Sequence, residues 1–107
     1  MLNVKKLLTH LMTTESTTPT KVGSTWSSGS IELYRKGGAV TLKFGGAVIG
    51  NVSSRTNIAT IPEGYRPATQ IVSNTYGGLT VIVNTDGRLQ VDPSAGATYY
   101  GNLTYTT

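Results

Sequence analysis

The chain has 107 residues, carries 9 lysines and arginines against 5 aspartates and glutamates, and contains no cysteine. That length fits one domain in which folding hides roughly 65% of the unfolded chain's surface, and the missing cysteine excludes disulfides, thiol catalysis and Cys-ligated metals together. Thirteen glycines, abundant threonine and serine, and only 13% charged residues favour turns and strands over long helices.

In chain order, Val4, Leu7, Leu8 and Leu11 recur at helical spacing with Lys5, Lys6 and Thr9 opposite, which predicts an amphipathic helix as a first segment, residues 1–12. A helix this short is marginal alone in water and needs something to pack on, either its own domain or copies of itself. Two lysines before an apolar run resemble a signal peptide, but His10 breaks the run and no small-residue cleavage site follows cleanly. No apolar stretch reaches the about 20 residues a membrane span needs.

Residues 13–28, Thr13 to Ser28, are nearly all Thr, Ser, Gly or Pro and keep no period, so they read as a linker or an extended, loosely paired arm. Trp26 reads as a packing anchor between arm and domain. Residues 29–107 are expected to form a β-sandwich or jelly-roll-like antiparallel domain of about eight strands. Ile31, Leu33 and Arg35 share one face and Glu32 and Tyr34 the other; after Gly37-Gly38, Val40, Leu42 and Phe44 line up against Thr41 and Lys43, so the two runs predict a hairpin. The doublets Gly45-Gly46 and Gly77-Gly78 read as further turns, AVIGNV and TNIATI as short strands, and Gly50 as a bulge or close backbone approach. Asn84-Thr85-Asp86-Gly87 is a turn signal. It should close a hairpin with Leu79, Val81, Val83, Leu89 and Val91 inward and Thr80, Asn84, Arg88, Gln90 and Asp92 outward.

The stretch Ile61, Pro62, Glu63, Gly64, Tyr65, Arg66, Pro67 resembles an I-P-x-G-Y-R-P element of bacteriophage and prophage tail-fibre or baseplate receptor-binding tips. The order of the pieces after it is similar as well: a D-G-x-hydrophobic-x-hydrophobic run, Asp86 to Val91, then a tyrosine-rich closing strand, Tyr99 to Tyr105. The resemblance implies a virion location, a homotrimer, contacts with other virion proteins and a host-surface polysaccharide as ligand. It would place Val4, Leu7, Leu8 and Leu11 at a three-fold axis; Trp26 is a further candidate oligomer contact on this chain's own sequence. The chain is short for such a fibre, so a virion adaptor or capsid decoration protein docking through its first segment and arm is the alternative.

Physically, the same element makes structural sense, because Pro62 and Pro67 fix φ, Gly64 permits a sharp turn and Tyr65 can bury its ring while its hydroxyl finds a partner. Catalytic chemistry is sparse. The one histidine, His10, falls in the predicted helix, and Glu15, Glu32, Glu63, Asp86 and Asp92 have no pairing that sequence can identify. No metal-ligand spacing occurs, so neither a metal nor another cofactor is expected. The cations are scattered, without the basic stripe that nucleic-acid binding would show. What remains is binding without catalysis. Alternation predicts an outer face holding Arg88, Gln90, Tyr100 and Asn102 with Tyr76 at its edge, where aromatic rings beside amide and guanidinium donors suit sugars.

Overall fold

A computed structural model describes residues 13–74 and 78–107. Among them are nine strands: β1 (Glu15–Thr17), β2 (Thr20–Lys21), β3 (Trp26–Lys36), β4 (Ala39–Ile49), β5 (Thr56–Thr60), β6 (Ile71–Asn74), β7 (Thr80–Val83), β8 (Arg88–Val91) and β9 (Ala97–Thr106). They form two antiparallel sheets, a four-stranded one in the order β1-β3-β4-β9 and a five-stranded one in the order β2-β5-β8-β7-β6. The predicted helix over residues 1–12 lies outside the described residues, as do Tyr76 and Gly77.

The β3–β4 hairpin forms as its alternation requires. Ile31 pairs with Phe44, Leu33 with Leu42 and Arg35 with Val40, and Gly37 takes the positive φ, 60°, that the tight turn needs. Ile31, Leu33, Val40, Leu42 and Phe44 are buried, and so are Ile58, Leu79, Val81, Val83, Leu89 and Val91 from the β5–β8 region. Residues of both sheets belong to one cluster. Each such aliphatic side chain contributes roughly 1.5–3 kcal/mol on leaving water, which is what holds strands as short as four residues in place.

The arm pairs rather than wanders. β1 lies against β3 and β2 against β5, with buried Pro19 between them, so one short stretch supplies an edge strand to each sheet. Trp26 anchors it. Its ring is 5% exposed within the core cluster, its indole N–H donates to Ser28 O at 3.1 Å, and the Lys21 ammonium sits 4.9 Å from its centroid.

Three expectations need correction. Gly45-Gly46 is no turn: both residues lie inside β4, where the register with β9 shifts between Gly45 and Ala47. Gly46 has φ +78°, the left-handed conformation that a glycine-type bulge uses as a tight hairpin turn does. Ala47–Ile49 therefore completes β4 instead of starting a new strand, and Val52 makes only an isolated bridge to Ser94. Asn84, expected outward, is buried at 6% exposure. Its amide donates to Arg88 O at 3.0 Å and Gln90 Oε1 at 2.8 Å and accepts from Gln70 at 2.9 Å, which satisfies the group where it is hidden.

The IPEGYRP loop is built from hydrogen bonds to its own backbone. Tyr65 N–H donates to Pro62 O at 3.2 Å around Gly64, whose φ is +88°. Arg66 Nε donates to Ile61 O at 2.8 Å and Arg35 Nη1 to Gly64 O at 2.7 Å. The Tyr65 ring packs on the core beneath the Arg35 guanidinium, 5.2 Å from its centroid. Tyr105 closes the loop by donating its hydroxyl to Tyr65 O at 2.6 Å.

Candidate functional site

The exposed face of the four-stranded sheet carries a continuous set of polar and aromatic side chains. Directly opposed residues of neighbouring strands share a face, so the registers define its rows. One row is Glu32, Lys43 and Asn102; the next is Ser16, Tyr34, Thr41 and Thr104; a third is Ser30, Gly45 and Tyr100. At about 4.8 Å between strands and about 6.8 Å between alternate residues, this makes a platform roughly 14 Å across in each direction.

Tyr100 is the most prominent group on it. Its ring is 60% exposed and lies over Gly46, where an added Cβ would come within 3.2 Å of the hydroxyl and 3.4 Å of the ring carbons. Beside it Ser30 Oγ fills the space a Gly45 side chain would need, donating to Gly45 O at 3.2 Å. The two glycines thus let the tyrosine lie down on the sheet with one ring face toward solvent. In the adjoining row Lys43 and Asn102 are exposed, and in the row beyond so is Thr104; there Thr41 and Thr104 join their hydroxyls at 3.0 Å, and Tyr34 donates its hydroxyl to Glu32. Among the described residues Lys43 makes no ion pair. An apolar ring face beside an ammonium, an amide and hydroxyls is the combination that accepts C–H faces and hydroxyls together.

Of the residues expected to form a site, Tyr100 and Asn102 come together here, while Arg88 and Gln90 stand on the five-stranded sheet. Alternation assigns a residue to a face but not to a sheet, and the two pairs were merged for that reason. Arg88 and Gln90 are also engaged. Arg88 Nε donates to Asp86 at 2.8 Å, and Gln90 accepts from Asn84. Tyr76, Val4, Leu7, Leu8 and Leu11 lie outside the described residues, and Trp26 is turned into the core, where a neighbouring copy could not reach its ring. Lys43, Thr41, Glu32, Tyr34 and Thr104 were missed. The signal was present in the polar side of the first hairpin, and only the β4–β9 pairing joins that side to the closing strand.

The other charges are accounted for locally. The Arg88 backbone N–H, then its side chain, holds the Asp86 carboxyl below the usual carboxylate range; the Arg55 guanidinium does the same for Asp92 and is itself pushed up. Glu15 pairs with Arg35 at 3.0 Å. Four carboxyl groups are therefore each taken by a separate donor, and among the described residues no three His, Asp or Glu side chains gather as metal ligands would. No helix among the described residues is long and apolar enough to cross a membrane. No family model matches the chain, and neither does any curated protein.

Proposed function

We propose that the chain is a non-enzymatic phage virion protein, the β-sandwich tip of a tail fibre or baseplate, which adsorbs to host-surface saccharide through the exposed face of its four-stranded sheet. The observation that carries this reading is Tyr100, lying open over two glycines at one end of the platform, with Lys43 and Asn102 in the adjoining row and Thr104 in the row beyond. The sandwich is supported by the single core cluster to which both sheets contribute. The order of the IPEGYRP loop, the Asp86-Gly87 turn and the tyrosine-rich last strand supports the phage assignment. In this reading IPEGYRP is scaffold, because its arginine and tyrosine serve backbone carbonyls and the core. A three-fold clasp through Val4, Leu7, Leu8 and Leu11 would multiply weak saccharide contacts by avidity.

A glycan array extended with host cell-wall polysaccharides tests the proposal. The chain should bind a restricted set, Tyr100→Ala should weaken binding about tenfold or more, as expected for a central aromatic contact, and Arg88→Ala should leave it unchanged. An array without selectivity removes the saccharide and favours the adaptor reading. The exposed Val72, which pairs across strands with Ile82 on the five-stranded sheet, then becomes the surface to examine for protein contacts.

A further inference from the structure

The edges of the two sheets are unequal. β1, β2 and β6 are edge strands of three, two and four residues, whereas β9 is an edge strand of ten. Proteins ordinarily protect a long edge with charge, proline or a covering segment, since its unpaired N–H and C=O groups invite another strand. The β9 sequence, ATYYGNLTYT, has no charged residue and no proline.

The direction of its free groups follows from the pairing. Thr107 N–H donates to Gly38 O on the β4 side, and Thr106 O accepts from Ala68 N–H on the other side, so odd-numbered residues hydrogen-bond toward β4 and even-numbered ones away from it. The loop at Ala68 covers only the last of these. At Thr98, Tyr100, Asn102 and Thr104 no described residue hydrogen-bonds to the backbone on the free side.

We propose that this edge pairs antiparallel with β9 of a second copy of the same chain, about a two-fold axis at Gly101. The commitment to a second copy rests on self-complementarity. The four free residues are distributed symmetrically about Gly101, so the axis sets Tyr100 against the second copy's Asn102 and Thr98 against its Thr104. Every free N–H and C=O of that set then finds a partner, and the Thr106–Ala68 bond is undisturbed. The uncharged strands meet without like charges in register. The Lys43 residues of the two β4 strands would be three strand spacings apart across the sheet and two residues apart along it, about 16 Å, beyond the about 10 Å screening length at 0.1 M salt. Although the pairing depends on backbone groups alone and not on saccharide, it would join two Tyr100 platforms into one continuous face. Combined with the three-fold clasp it gives six copies, without the clasp two.

The test is the mass of the full-length chain by sedimentation equilibrium at micromolar concentration. The wild type should be an even multiple of the chain mass. Thr98→Lys with Thr104→Lys, both at exposed positions, would set ammonium groups directly across the axis and should lower the association constant, read from a dilution series, about tenfold or more. Thr98→Glu with Thr104→Lys restores opposite charges and should restore the wild-type association. An odd multiple for the wild type, or a double-lysine variant that associates as tightly as the wild type, would overturn the pairing. Saccharide binding by the double-lysine variant, measured separately, distinguishes a failed pairing from a failed platform.

Discussion

Gly29 gives a sharp test of how β3 and β4 bend together beneath the platform. It sits at the register shift between Ser28 and Ser30, has φ +75°, and an added Cβ would stand 1.9 Å from Gly46 O and 2.6 Å from Gly46 C. Real Cβ atoms do not come closer than 3.0 Å to such a group, so alanine must move the β4 bulge by at least about 1 Å. The left-handed conformation costs about 1–2 kcal/mol for a residue with a Cβ, and overpacking a fixed backbone a further 1–3 kcal/mol or so. Gly29→Ala should therefore lose roughly 2–5 kcal/mol and, at about 4 °C per kcal/mol for a domain of this size, lower Tm by roughly 8–20 °C. Gly23→Ala is the control. Gly23 has a similar φ, +68°, with nothing within 4 Å of its added Cβ, so only the conformational cost remains, about 1–2 kcal/mol. Thermal unfolding followed by circular dichroism reads both. If the two variants melt within about 3 °C of each other, the strands are not interlocked at Gly29 and Gly46 as described.

Further outcomes follow from the same contacts. Asn84→Ala should destabilise by about 1–3 kcal/mol in urea unfolding, because it removes three hydrogen bonds from a hidden group and takes the donor from the half-buried Gln90 amide oxygen. Burial pushes the Tyr105 phenol well above the ordinary tyrosine range, so its contribution is complete below pH about 10 and lost as pH rises through the folded value. The alkaline limb of a stability–pH profile should flatten in Tyr105→Phe, which also gives up about 1 kcal/mol at neutral pH with the bond to Tyr65 O. Asp92 behaves oppositely. The Arg55 guanidinium lowers its pKa, so its contribution is present above pH about 4 and disappears as pH falls further. Asp92→Asn should flatten the acid limb.

Sequence reading was most successful where structure is local. The Ile31–Arg35 and Val40–Phe44 runs alternate with period two and meet at a glycine doublet, so both faces and the register follow from nearest neighbours. The Asn84–Gly87 turn was legible for the same reason, with Gly87 N–H donating to Asn84 O at 3.0 Å and Gly87 at φ +94°. Non-local pairing was not legible. β9 joins β4 across a gap of nearly fifty residues, while β8 joins β5 and β7 in the other sheet, and no periodicity distinguishes those partners. That is why Arg88 and Gln90 were grouped with Tyr100 and Asn102. Gly45-Gly46 was ambiguous by its nature, since a glycine-type bulge and a tight hairpin turn both use a left-handed glycine. Ile82 shows the limit of alternation. It falls on the opposite side from Val81 and Val83, yet it is fully buried between its cross-strand neighbours Gln90 and Val72.

The platform itself is tested most directly by mapping a bound saccharide with backbone amide chemical shifts, using an oligosaccharide selected on the array. The largest shifts should fall on Lys43, Tyr100, Asn102 and Thr104 and vanish in Tyr100→Ala. Shifts centred on Arg88 to Gln90, or a selective ligand that leaves β4 and β9 unperturbed, would contradict the account.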